Sequence, residues 1–270
     1  MSAARNLVIA TTGADDTTHK EWIAGARDFD LMLVNYGVPG RYAEDADFFL
    51  DASGFKYEIT KDAIDHYRDL VMSYDAIWTP DDDLSVSADG INQLFAVFHE
   101  FRLDLAQPAM VEANFPVHYP HPFTRLRYVA FVEIGLTLFR QSVLCELLDT
   151  FKLTRSGWGL DLLWAQRLLG RRVAVIDEVI VRHMRPCDLE NGSYCRKLRG
   201  LDIDAREEME ALIDQYNLST TITARQFGGE YTSTRHALAG RAFQNLRWGV
   251  VRSLWNKIPS RIARAIGNQT

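Results

Sequence analysis

Three consecutive carboxylates, Asp81, Asp82 and Asp83, follow the short apolar run Asp75-Ala76-Ile77-Trp78-Thr79, with only Pro80 between. A strand that delivers three acids to one sheet edge builds up repulsion that a divalent cation relieves. Mg2+ and Mn2+ favour oxygen ligands shared between carboxylates and the phosphates of a substrate. On extended backbone Asp81 and Asp83 point to one side and Asp82 to the other. Asp81 and Asp83 therefore suit one ion or a ribose. The same run equally suits the start of the helix that follows, where Asp is a favoured cap.

Two further groups of residues carry chemistry. Gly157-Trp158-Gly159-Leu160-Asp161 combines glycines that let the backbone turn sharply, an indole face on which a sugar could stack, and a carboxylate in the first turn of a helix. Asp161 could reach an acceptor there, or simply complement the helix dipole. His183 ends the run Val179-Ile180-Val181-Arg182, on the face shared by Val179 and Val181. A neutral imidazole in that place could complete a cation shell begun by Asp81 and Asp83, or serve as a structural hydrogen-bonder. Cys187 and Cys195 follow His183, but a zinc site would lack its fourth ligand and the paired spacings.

The elements that must position these residues read as an α/β domain. Apolar runs over 6–10 and 29–35 predict strands, and 75–79 predicts the one that ends in the aspartates. Helical spacing covers 60–72, 87–103, 144–151 and 157–169. Residues 173–184 read as two short strands divided near Asp177-Glu178, and 128–140 as a strand region. Residues 107–127, rich in Pro, His and aromatic side chains, read as a long loop. In an open α/β sheet, ligands bind beyond the carboxyl ends of the strands. That rule places Thr11, Thr12 and Tyr36, together with Lys56, around a nucleotide pocket. The predicted organisation is a catalytic domain over 1–187, a helix and linker over 188–234, and a basic amphipathic helical tail over 235–270.

With 270 residues, 47% of them hydrophobic and 24% charged, the chain can bury a sizeable core without disulfides. Its three cysteines have no framework spacing and read as reduced thiols of a cytosolic protein. The net charge of −6 argues against nucleic acid as a partner, which would demand basic residues. The start resembles no signal peptide, and no run is long enough to span a bilayer. The predicted setting is the cytoplasm, with peripheral attachment to the inner face of a membrane as one option. After Glu230 there are no acidic residues, while Phe243, Leu246, Val250, Leu254, Trp255 and Ile258 line one side of the tail. Such a tail suits an anionic membrane surface or self-association.

The order of these features, through GFKYEITKDAIDHYRDLVMSYDAIWTPDDDLSV, LDLAQPAM, HPFTRLRYVAFVEIGLTLFRQSVL and SGWGLDLLWAQRLLGRRVAVIDEVIVRHMRP, resembles the DUF707 family over about residues 5–187. That family is regarded as GT-A-like glycosyltransferases. The resemblance implies a Rossmann-like, nucleotide-diphospho-sugar transferase fold, a mixed sheet flanked by helices, here with a C-terminal helical extension. It also implies that Asp81-Asp82-Asp83 is a DxD motif binding Mn2+ or Mg2+ and the donor's diphosphate. Trp158-Gly159-Leu160-Asp161 is similar to an element whose carboxylate acts as base or contacts the sugar, and His183 to a late metal-binding histidine. Asp161 and Glu133 are both candidates for the carboxylate at the acceptor. Leu138-Phe139 departs from the Pro-containing stretch frequent in relatives.

The function so predicted is metal-dependent transfer of a sugar from a nucleotide-sugar donor to a hydroxyl of a glycan or glycolipid acceptor, in the setting of cell-envelope synthesis. Two rivals remain. A nucleotidyltransferase would usually carry a basic, Gly-rich phosphate loop where this chain has TTGADD. A glycan-binding module would keep Trp158 but would have no use for three aspartates and His183.

Overall fold

The computed structural model describes residues 4–232, apart from residues 14, 16, 112 and 186–192. The basic tail over 235–270, and Cys187, lie outside the described residues. Among the described residues no helix is long and apolar enough to cross a membrane.

Among the described residues ten strands form one mixed sheet: β1 (Asn6–Thr12), β2 (Asp30–Asn35), β3 (Phe48–Asp51), β4 (Ala76–Trp78), β5 (Leu84–Ser85), β6 (Leu105–Val111), β7 (Thr124–Val129), β8 (Leu138–Arg140), β9 (Val173–His183) and β10 (Gln226–Tyr231). Their order is β10-β7-β9-β6-β8-β4-β1-β2-β3, with β5 pairing β9 off that path. Strands β3, β2, β1 and β4 run parallel, as the Rossmann-like reading requires. Strand β8 is antiparallel to both β4 and β6, while β6 and β9 are parallel. The carboxyl ends of β1, β2, β4 and β9 therefore reach the same edge of the sheet. This is the mixed, helix-flanked, Rossmann-like sheet expected from the sequence.

The helices are α1 (His19–Trp22), α2 (Lys56–His66), α3 (Arg68–Val71), α4 (Ala88–Glu100), α5 (Gln141–Leu147), α6 (Leu160–Arg167), α7 (Ser193–Arg199) and α8 (Ala205–Tyr216). Alternation along β1 explains the layering. Leu7 and Ile9 pack with Ala63 and Ile64 of α2 and with Leu163 and Trp164 of α6. Val8 and Ala10 pack on the other face with Ile91, Leu94, Phe95 and Phe98 of α4. Both faces are covered, so β1 is apolar at consecutive positions rather than at every second one.

Several stretches differ from the sequence expectation. Residues 107–127 are not one loop, because β6 and β7 take both ends of the stretch. The connection between them is fastened by a buried ion pair, in which Arg127 grips Asp177 through two nitrogens at 2.8 and 2.9 Å. The same guanidinium donates to the carbonyls of Val117 and Tyr119, and Asp177 accepts from the His121 N–H. Asp177 and Glu178 lie where the β6–β9 register jumps from Pro108↔Ile176 to Ala109↔Ile180. The division expected near these residues is thus an irregularity within one strand. Within the stretch expected as linker, Gln226–Tyr231 forms β10 and pairs antiparallel with β7.

Candidate functional site

Strand pairing, rather than nearness in sequence, assembles the acidic site. Immediately after the aspartates, β5 pairs antiparallel with the end of β9, setting Leu84 opposite His183. The Met184 N–H donates to the Asp83 carbonyl at 2.8 Å, and His183 Nδ1 lies 3.1 Å from Asp83 Oδ1. Trp22 fixes β5 from behind by donating its indole N–H to the Leu84 carbonyl at 2.8 Å.

The result is a cluster in which Asp81, Asp83 and His183 each offer one ligand atom, all within 4.8 Å of one another. Two carboxylates and an imidazole offer oxygen and nitrogen donors of the kind that hold divalent cations. These three side chains could coordinate a divalent metal. Burial raises the Asp83 carboxyl, but the His183 hydrogen bond and the charges of His183 and Arg185 outweigh it and bring Asp83 to about 2. Asp83 is thus ionised at any physiological pH. Burial lowers His183, yet Asp83 and Asp81 more than compensate and its pKa is raised.

The three aspartates separate, although Asp82 and Asp83 lie in a turn between β4 and β5 rather than on the extended backbone expected from the sequence. Asp82 turns away from the cluster, accepts the Tyr36 hydroxyl at 2.8 Å and pairs with Arg185. Asp81 pairs with Lys56, whose Nζ lies 2.5 Å from Oδ1 and also reaches the Thr79 carbonyl at 3.3 Å. Thr11 and Thr12 at the end of β1 line a narrow crevice with His19, Trp22 and Asp82. The Thr12 hydroxyl is buried there with no hydrogen-bond partner among the described residues. Tyr36 hydrogen-bonds the Thr12 carbonyl through its own N–H at 2.9 Å. Thr11, Thr12, Tyr36, Lys56 and the aspartates are therefore neighbours at one sheet edge.

The segment Glu133-Ile134-Gly135 joins this cluster to Asp161. The Gly135 carbonyl accepts the Asp81 N–H at 2.8 Å. A Cβ on Gly135 would lie 2.1 Å from Asp81 Oδ2, so only glycine lets the carboxylate rest there. Glu133 accepts from Asn114 at 2.9 Å and faces His118 Nδ1 at 3.3 Å, while its own N–H donates to Gln107 at 2.6 Å. Burial raises Glu133, but these partners, His118 first, bring its pKa below the ordinary value. Asp161 behaves oppositely. Burial and the Glu133 charge push it to about 7, although the backbone N–H groups of Leu162 and Ile134 favour its anion. The two carboxyls of one region are thus pushed in opposite directions, Glu133 down and Asp161 up.

Gly157 and Gly159 adopt φ of 83° and 87°, the left-handed backbone that glycine accepts without strain. This turn aims α6 so that Asp161 falls beside Ile134. Trp158 is half-buried and packs with Phe55 against Leu198, Ile203 and Ala205, so protein covers part of the indole expected to stack on sugar.

Sequence reasoning missed Arg185, Gly135, Asn114, His118 and Gln107. The polar Gln107 inside the apolar run LAQPAMV was the one available signal, since a wholly buried amide needs a partner.

No family model and no curated protein matches the chain. Among solved structures, residues 1–349 of S. aureus TarS are similar at 12% identity, covering 79% of this chain and 71% of that one, with a TM-score of 0.48. TarS in complex with UDP-GlcNAc is similar at 10% identity, covering 80% and 72%, with a TM-score of 0.47. A197 from STIV is similar at 13% identity, covering 68% and 87%, with a TM-score of 0.41. Likenesses this distant carry no functional argument, which rests on the geometry of the site.

Proposed function

We propose that this protein is a metal-dependent glycosyltransferase that moves a sugar from a nucleoside-diphosphate sugar to an acceptor hydroxyl. One observation carries the reading: Asp81, Asp83 and His183, drawn from two distant stretches of sequence, converge at the carboxyl edge of a Rossmann-like sheet. Asp81, Asp83 and His183 would hold Mn2+ or Mg2+. That cation would supply Lewis-acid neutralisation of the departing diphosphate.

The remaining work belongs to side chains of this chain. Tyr36, Thr11 and Thr12 line the edge where the nucleoside would lie, and Lys56 stands beside it as a further positive charge. Asp161 takes the proton of the acceptor hydroxyl. A base is most effective when its pKa lies near the working pH, and about 7 meets that condition. Glu133, fixed as an anion by Asn114 and His118, keeps Asp161 high by repulsion. The class is the one that the sequence resemblance to DUF707 implies, while no family model matches the chain; a glycan or glycolipid acceptor belongs to this proposal because attachment of the basic tail to a membrane would fit it. The basic stretch over 235–270 is assigned to a membrane surface or to self-association.

A panel of nucleoside-diphosphate sugars with Mn2+ tests the reading. Release of nucleoside diphosphate, abolished by EDTA, is the expected result. Pyrophosphate release from nucleoside triphosphate plus sugar phosphate would instead identify a nucleotidyltransferase. Binding of glycans without any turnover would identify a lectin-like module.

A further inference from the structure

The turn that carries Asp161 is gripped by α8, a helix from the stretch that the sequence assigns to a helix and linker. The Arg155 N–H donates to Glu208 Oε1 at 3.1 Å, and the Ser156 N–H to Glu208 Oε2 at 2.8 Å. One carboxylate thus accepts from two successive backbone groups just ahead of Gly157. Ser156 Oγ carries the hold onward by accepting the Trp158 N–H at 3.1 Å. Further along α8, the second glycine is pressed as well. A Cβ on Gly159 would lie 3.2 Å from Leu212 Cδ1 and 3.3 Å from Met209 Cα. Gln166 of α6 donates to the Tyr216 carbonyl at the far end of α8, at 3.2 Å.

Glu208 is half-buried, and among the described residues no Lys, Arg or His pairs with it. Its charge is directed at the loop amides, and such charge-assisted hydrogen bonds are roughly twice as strong as neutral ones. The helix behind it is firm. Asp204 caps α8 by accepting the Arg206 and Glu207 N–H groups, and Leu212 is buried in the core that holds Leu160 and Leu163. The glycines in turn found α6. The Leu160 N–H donates to the Gly157 carbonyl at 3.2 Å, and the Leu163 N–H to the Gly159 carbonyl at 3.1 Å. Asp161 lies between these two anchored residues. The candidate metal ligands sit elsewhere, on the β4–β5 connection and on β9.

We propose that Glu208 is a positioning residue for the transfer reaction, acting through the turn over 155–159 on Asp161. A general base works only within hydrogen-bond reach of the proton it takes. Misplacing such a group by about 1 Å can cost on the order of 10²-fold in rate. The proposal deepens the reading of Asp161 as the base, and rests on it.

The test uses the full chain, wild type beside Glu208→Gln, Glu208→Ala, Asp161→Asn and the double variant of Asp161→Asn with Glu208→Gln. Amide hydrogen exchange reads the grip without any substrate. Peptides over 155–161 should exchange about tenfold faster in Glu208→Gln, and faster again in Glu208→Ala, while β1 and β4 keep their protection. Nucleoside-diphosphate release is then followed with each donor of the Mn2+ panel that wild type turns over, as rates per folded protein by circular dichroism. The kcat should fall about tenfold in Glu208→Gln and about a hundredfold in Glu208→Ala, with the donor KM held within about twofold. Once Asp161 is Asn, adding Glu208→Gln should cost less than about twofold, because nothing is left to position. Unaltered exchange over 155–161, an unchanged kcat, or a full tenfold loss repeated without Asp161 overturns the positioning role and leaves the glycosyltransferase reading standing. If wild type turns over no donor, or Asp161→Asn matches wild type, the base reading fails and the role of Glu208 falls with it.

Discussion

Replacing Asp161 by Asn should stabilise the protein at high pH while removing its activity. The carboxyl is pushed from 3.8 to about 7, chiefly by burial and by Glu133. Between those values the folded chain keeps a proton that the unfolded chain has released. Stability therefore falls as pH rises through this window, and the full cost is present above about pH 7. A displacement of that size corresponds to about 4 kcal/mol. Local relaxation and water entry reduce it, and about 2 kcal/mol is the working expectation. Asparagine carries no charge, and its amide oxygen can still accept the Leu162 N–H, which lies 2.9 Å from Asp161 Oδ1. Thermal unfolding at about pH 8 should thus show a gain of roughly 4–8 °C, since about 1 kcal/mol moves a domain of this size by 2–4 °C. At about pH 4 the gain should vanish. Loss of the base should lower turnover about 10²- to 10⁴-fold. Equal destabilisation at both pH values, or undiminished turnover, would refute the assignment of Asp161 as a high-pKa base.

Other substitutions test the supports of the site. Gly135→Ala drives a methyl group into the Asp81 carboxylate, so Mn2+ affinity measured by electron paramagnetic resonance should drop at least tenfold while the chain remains folded. Gly157→Ala forces an L side chain into φ 83° and against the Tyr57 ring at 3.2 Å; denaturant unfolding should register a loss of about 1–2 kcal/mol. Arg127→Met strands Asp177 in the interior without its charge partner, and should cost about 3–5 kcal/mol in the same assay. In turnover assays, any loss in Arg127→Met should follow the loss of folded protein.

Much of the site's outline was legible in the sequence because its parts obey local rules. The aspartates follow a strand and His183 ends a second one, although a turn at Asp82-Asp83, not strand alternation, separates Asp82 from its neighbours. Topology alone put Thr11, Thr12 and Tyr36 at this sheet edge, where they lie near Asp82. Long-range pairing was not legible. Nothing local announces that two residues, Leu84 and Ser85, pair with the end of β9 and so bring His183 to Asp83. Gly135 carries no pattern, since its requirement comes from a carboxylate distant in sequence. Strand β10 was hidden because Gln226-Phe227-Gly228-Gly229 has the composition of a linker. It is held by ladder bonds to β7 rather than by intrinsic preference. Trp158 was read as a sugar platform from residue type, and its packing against Leu198 and Ile203 depended on the placement of a later helix.

The most direct test of the central claim puts metal binding and turnover on the same samples, wild type beside Asp83→Ala. Mn2+ titration followed by nucleotide-sugar turnover should show one tightly bound ion and EDTA-sensitive nucleoside-diphosphate release in wild type. Both should be lost in Asp83→Ala with the fold intact by circular dichroism. Turnover that persists in Asp83→Ala, or that ignores EDTA in wild type, would contradict the account.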